Sequence, residues 1–114
     1  MQVKRSERVA ELIKHELASV FTKGLKDPRV GFVTVTTVEV SDDLRYARVF
    51  YTVLGKEAEQ EETAKGLEAA KGYLQHDLAV TLKLRFTPHL SFILDSSMEE
   101  GMKIDSIIRK IHEQ

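Results

Sequence analysis

Val9, Leu12, Ile13, Leu17, Val20 and Phe21 recur at the spacing of one face of an amphipathic helix, with Ser6 placed to cap its start and Gly24 to stop it. Asp27-Pro28-Arg29 then punctuates the chain as a turn does, and a β-branched run follows from Phe32 to Val40. The alternation within that run changes phase. Val33 and Val35 share one parity, Val38 and Val40 the other, with Thr36-Thr37 between them, which predicts a β-bulge. Ser41 to Arg45 reads as a polar turn, and Ala47, Val49, Tyr51 and Val53 alternate after it, completing a hairpin.

Beyond Gly55, Glu57, Glu59, Glu61 and Glu62 crowd the start of a second helical pattern, where the helix dipole favours negative charge. Ala64, Leu67, Ala70, Leu74, Leu78 and Leu82 form one continuous stripe, so periodicity alone shows no interruption. A straight helix over residues 58–84 would span roughly 40 Å at about 1.5 Å per residue, against a radius of gyration of about 13 Å for a domain of this size. That comparison favours a kink at Gly72, with Gly66 as the competing position. Leu90, Phe92 and Leu94 alternate as a third strand, and Ser97 to Glu100 fits a capping box before Ile104, Ile107, Ile108 and Ile111, which predict a last helix over residues 97–112. The expected architecture is α+β: a three-stranded sheet covered by helices.

A chain of 114 residues fits a single domain spanning residues 1–114. It contains no cysteine, which removes disulfides, thiolate zinc sites and cysteine nucleophiles and suits a cytoplasmic setting. The N-terminus has no apolar signal core and no stretch is long and apolar enough for a spanning helix, so neither secretion nor a membrane partner is expected. The net charge of −1 lowers the expectation of nucleic-acid binding, yet the charges are unevenly placed. Residues 1–54 balance to +2, residues 55–69 to −3, residues 70–97 to +1 and residues 98–114 to −1. A local patch, not the total, is what neutralises phosphates.

The search for catalytic chemistry returns negatives. His15-Glu16 opens like a zinc-protease pattern, but Ser19 stands where its second histidine would be. The histidines at 15, 76, 89 and 112 lack metal spacing, and no Walker loop, dinucleotide fingerprint or nucleophile elbow is present. Asp42-Asp43 reads as a solvated turn. Neither an enzyme nor a metal or other cofactor is expected.

With a glycine bend between two helices, the order of elements resembles a type II KH domain, in which a helix–helix link grips the nucleic-acid backbone. The usual GxxG loop is absent, and Ala70-Lys71-Gly72 occupies its place. The chain resembles the bacterial ribosome-binding factor A family, whose KH-like fold carries an AxG kink. The likeness extends over Arg8-Val9-Ala10 to Leu17, Leu25 to Val35 including Asp27-Pro28-Arg29, Val38 to Leu44, Ala47-Arg48-Val49, Leu84 to Phe92 and Asp95-Ser96-Ser97. Some relatives extend well past the last helix, whereas this chain stops at Gln114.

The resemblance implies a non-catalytic assembly factor that binds free or immature 30S subunits and supports late maturation of 16S rRNA, including its 5′ end, notably in the cold. It implies 30S and 16S rRNA as partners and action as a monomer, leaving contacts to ribosomal proteins and other assembly factors open. On this reading Lys71 and Gly72 head the RNA-binding candidates, as an opened backbone and a phosphate-directed charge at a helix start. Lys4, Arg5 and Arg8 cluster at the start of the first helix, where cations oppose the dipole. Lys83 and Arg85 follow the long helical region, Arg45 and Arg48 lie by the hairpin, and His76 could stack on a base. Phe50, Phe86 and Phe92 are assigned to the core. A protein-interaction or dimerisation module and a generic RNA chaperone stand as alternatives.

Overall fold

The computed structural model describes residues 4–95, so the helix expected over residues 97–112 lies outside the described residues. The order is α1 (Arg5–Lys23), β1 (Val33–Val40), β2 (Tyr46–Val53), α2 (Glu57–Leu82) and β3 (His89–Leu94). The strands form one sheet in the order β1-β2-β3, the first pair antiparallel and the second parallel.

Alternation decides which face is covered. Val35, Val38, Ala47, Val49, Tyr51 and Leu90 are buried, while their neighbours Thr34, Glu39, Tyr46 and Arg48 stay exposed. The phase change in β1 is the expected bulge: Val35 pairs with Tyr51 and Thr37 with Phe50, leaving Thr36 over. The Thr36 hydroxyl donates to Asp95 Oδ2 at 2.8 Å, tying the bulge to the end of β3. Both valine parities therefore reach the core despite the phase change.

α1 lays Val9, Ala10, Ile13 and Leu17 on this face. Its start differs from the expectation, since the N-cap is Lys4 and Ser6 lies buried inside the first turn. Ser6 falls on the same helical stripe as Ala10, Ile13 and Leu17, so packing against the sheet overrides its capping preference. Gly24 ends the helix as expected, at φ 91°, with its N–H donating to the carbonyls of Val20 and Phe21.

The two helical runs expected on either side of Gly72 form one continuous helix. α2 is assigned as one helix of 26 residues, about 39 Å long at ~1.5 Å per residue, and Thr63, Gly66, Leu67, Leu74 and Leu78 are buried along it. A helix lying across a sheet has to match the span of the domain, not its radius of gyration, so its length imposes no break. A helical glycine costs about 1 kcal/mol relative to alanine, whereas each buried leucine contributes about 2–3 kcal/mol. Leucines packed on both sides of Gly72 therefore hold the helix through it.

The close approach that the chain does need falls at Gly66. A Cβ there would stand 2.6 Å from Val30 Cγ2 and 3.4 Å from Arg29 Cβ, because the loop from α1 to β1 lies directly on α2. One turn earlier, Thr63 Oγ1 donates to the Arg29 carbonyl at 3.3 Å and accepts from the Gly31 N–H at 3.5 Å. Asp27 stiffens the same loop by accepting from the Arg29 backbone at 2.9 Å and from its guanidinium at 2.6 Å. At β3, the Leu90 N–H donates to Gln75 Oε1 at 3.2 Å, joining that strand to α2.

The two glycines of α2 give opposite predictions. Gly66→Ala should destabilise the fold by about 1–3 kcal/mol through overpacking against Val30, less the helix-propensity gain. Gly72→Ala, with nothing within 4 Å of the added methyl, should stabilise it by about 0.5–1 kcal/mol. Urea melts measure both, and shifts of the same sign would contradict this assignment.

Two carboxylates predict opposite pH effects. The Arg29 hydrogen bonds hold Asp27 down at about 2, so its contribution is present above its ordinary 3.8 and is lost as pH falls toward 2. Glu16 is raised above 4.5, chiefly by sharing a hydrogen bond with Asp77 and by desolvation. Protonated Glu16 favours the fold, and that contribution is lost as pH rises through its raised pKa. Melts across pH should find Asp27→Asn with a flattened acid limb, and Glu16→Gln more stable than the native chain at pH 7 but not below pH 4.

Candidate functional site

Three segments meet at the end of the sheet where β1 turns into β2 and β3 begins. The first turn of α1, the hairpin turn and the link from α2 to β3 enclose a cleft of about 570 Å³, lined by Arg5, Asp43, Leu44, Arg45, Leu84, Arg85, Phe86 and Thr87. It brings three of the expected residues, Arg5, Arg45 and Arg85, to one place from three distant parts of the chain.

Local chemistry shapes each wall. In the hairpin turn, Ser41 Oγ donates to Asp43 Oδ1 at 2.6 Å and accepts from the Tyr46 N–H at 3.0 Å, while the Arg45 N–H donates to Asp43 Oδ1 at 3.1 Å. These bonds, the Ser41 hydroxyl first, hold the Asp43 carboxyl below its ordinary range. Asp43 thus serves the turn, and its second oxygen stands 4.0 Å from Arg45 Nε. Opposite, the His89 N–H donates to the Arg45 carbonyl at 2.7 Å, locking the start of β3 to the hairpin. Leu44 and Leu84 reach inward to pack against the core.

Among the described residues, the non-glycine residues with positive φ are Leu44 at 63° and Lys83 at 53°. Both belong to the loops that build this cleft. Such backbone costs of order 1 kcal/mol or more and persists where the surroundings over-determine it, often at functional positions. Lys83 caps α2 in this left-handed conformation, which turns the chain so that Arg85 and Phe86 face outward.

The other expected residues do not gather here in the same way. Lys4 adjoins the cleft only as the residue before Arg5, and Lys83 as the cap of α2. Arg8 lines a separate shallow hollow with Glu11, His15 and Val38. Arg48 lies on the face of the sheet opposite the core, ion-paired with its cross-strand neighbour Glu39 at 2.5 Å. In the AxG segment, Ala70 is partly buried against the core and lines a hollow of about 430 Å³ with Leu25, Lys26 and Tyr73. Lys71 is paired with Glu68 at 3.0 Å, whereas Gly72 is exposed with open space beside it and His76 is exposed. Lys71 and Gly72 sit within a helix, so the separate helix start that was to receive phosphate at this point does not exist.

Phe86 requires a correction. It is 75% exposed, not in the core, and the Arg85 guanidinium lies over its ring at 5.4 Å. Phe92 does pack against the core, while Phe50 is partly buried under Arg48 on the other face of the sheet. Leu84 and Pro88 both turn inward, and the short link between them leaves the Phe86 ring outside, which nothing in the local sequence signals. At the other end of the sheet, Phe32 and Leu54 are exposed side by side near Glu59 and Glu62, so the acidic start of α2 is remote in sequence and place from the arginine cleft.

Among the described residues, no cluster of histidine, cysteine or carboxylate side chains could hold a metal ion, and no helix is long and apolar enough to cross a membrane. A helix, an antiparallel strand pair, a long helix and a parallel third strand together define a KH-like domain of the type II class, here with a basic cleft at one end of the sheet. The profile of the family described as Ribosome-binding factor A matches residues 5–108, and the chain belongs to that family. It is 51% identical to ribosome-binding factor A of Brevibacillus brevis over 97% of this chain and 92% of that one. The crystal structure of ribosome-binding factor A from Thermus thermophilus superposes with a TM-score of 0.67 at 27% identity, covering 78% of this chain and 94% of that one. A homology model of the Thermus thermophilus factor fitted into the cryo-EM map of a 30S–RbfA complex gives a TM-score of 0.68 at 26% identity, covering 82% of this chain and 97% of that one.

Proposed function

We propose that this chain is a non-catalytic, cytoplasmic assembly factor that binds free or immature 30S subunits and supports late maturation of 16S rRNA, including its 5′ end, notably in the cold. The observation that carries the reading is the 30S complex of the Thermus thermophilus relative, whose fold this chain shares. The convergence of Arg5, Arg45 and Arg85 on one cleft adds a physical means, because clustered guanidiniums neutralise phosphates whatever the net charge of the chain. Low temperature stabilises misfolded RNA helices, so a protein that favours one rRNA arrangement acts most where thermal rearrangement is slow. It shifts that equilibrium only by its differential affinity for the two arrangements, and release follows where the mature RNA fits worse. No nucleotide hydrolysis is required.

A second reading, that a protein partner contributes to docking, is favoured by Phe32 and Leu54, 82% and 81% exposed beside an acidic helix start that repels RNA. The two readings concern opposite ends of the sheet and are compatible on one particle.

The test is co-sedimentation with purified 30S particles, with arbitrary RNA as competitor. Affinity should fall steeply as salt rises, and Arg45→Ala or Arg5→Ala should lower the log–log salt slope by about 0.7–0.9 each while leaving the melting temperature nearly unchanged. A flat salt response would exclude a phosphate-dominated interface, and displacement by arbitrary RNA would favour a generic RNA chaperone. Failure to migrate with 30S particles would favour the interaction module.

A further inference from the structure

Phosphate neutralisation leaves one component of the cleft without a use. Phe86 keeps 75% of its surface in water, although burial of a phenylalanine ring is favourable. The ring does not hang from a loose segment. Lys83 fixes the start of its turn in the left-handed region, Pro88 is fully buried at its end, and the His89 N–H is held by the Arg45 carbonyl at 2.7 Å. An exposed aromatic ring on a backbone anchored at both ends, with the Arg85 guanidinium over it at 5.4 Å and Arg5 and Arg45 lining the same cleft, combines a π-face with phosphate-directed charge. Unpaired nucleotides are recognised by this combination, because their bases are free to stack while their phosphates track the cations. A duplex keeps its bases stacked inside and offers the ring nothing. A protein segment would supply apolar groups but no anionic backbone to match Arg5 and Arg45.

We propose that Phe86, with the Arg85 guanidinium against its ring, is a stacking platform for one unpaired base of RNA whose flanking phosphates are held by Arg5 and Arg45. This rests on the RNA-binding reading given above and assigns that end of the molecule to a single-stranded segment. Phe86 acts by contact with the base, and Arg85 contributes both as part of the stack and as a charge.

The experiment titrates the full chain with a short single-stranded RNA, with the same strand annealed to its complement, and with 30S particles. The native chain should bind the single strand about ten-fold or more tighter than the duplex. Phe86→Ala should lose about ten-fold on the single strand and on 30S particles, lose nothing on the duplex, and keep the salt slope of the native chain. Phe86→Trp should restore binding, and Phe86→Leu, equally apolar but without a π-face, should not. Because the ring is exposed, the variants should keep the native melting temperature, which the same samples report. Equal losses of Phe86→Ala on both RNA forms, or native binding by Phe86→Leu, would overturn the stacking and leave the 30S reading intact. A native chain that binds neither RNA nor 30S particles would overturn both.

Discussion

The constraint on which the rest depends is that α2 crosses the sheet as one unbroken helix. Its first half is gripped by the loop from α1 to β1, through Thr63 and the close approach of Val30 to Gly66. Its second half is fixed by Leu74 and Leu78 in the same core as Ile13, Leu17 and Leu90. Together these contacts set where α2 ends, and so where Lys83 can turn the chain to bring Arg85 and Phe86 beside the hairpin. A helix free to bend at Gly72 would uncouple the cleft from the clamp at Gly66. The continuity of α2 is therefore part of what positions the site.

Charge follows the same axis. Glu57 and Glu59 occupy the first turn of α2, where the dipole favours anions, and Lys83 and Arg85 follow its last, where it favours cations. Helix energetics alone explain that much. They do not explain Arg5, which sits in the first turn of α1 against the dipole and still lines the same cleft as Arg45 and Arg85. Lining one cleft with three arginines against the single carboxylate of Asp43, which is engaged by Ser41 and by Arg45, leaves a positive cleft in a chain of net charge −1. The imbalance is local, which is why segment-by-segment charge was more informative than the total.

Strand positions were legible because one face of a sheet is buried and the side-chain period is two. Even the bulge at Thr36 could be read, since the valines on either side of it must all reach the core. Residues 57–82 form one helix where the glycine pointed to two, because a glycine signals a weak local preference while the leucines around it carry several times that energy. The role of Gly66 was invisible for a different reason: its neighbour Val30 lies 36 positions away in the chain, and nothing local records that approach. Likewise Arg5, Arg45 and Arg85 could each be named as basic, but their convergence depends on parallel pairing of β3 with β2, which the strand patterns do not specify. Phe86 was lost to the core because hydrophobic residues are assigned inward by default.

That default conceals where discrimination between RNA arrangements can arise. Two arrangements of one rRNA segment carry the same phosphates, so a site made only of arginines tells them apart only by where those phosphates stand. A contact that one arrangement offers and the other withdraws discriminates more sharply. An unpaired base is such a contact, available while a strand is free and lost when it pairs. A ten-fold difference from a single stack corresponds to about 1.4 kcal/mol, enough to move an equilibrium poised near unity to roughly ten to one. The arginines of the cleft would then supply affinity, and Phe86 the difference in affinity that makes binding consequential and release automatic once the RNA has paired.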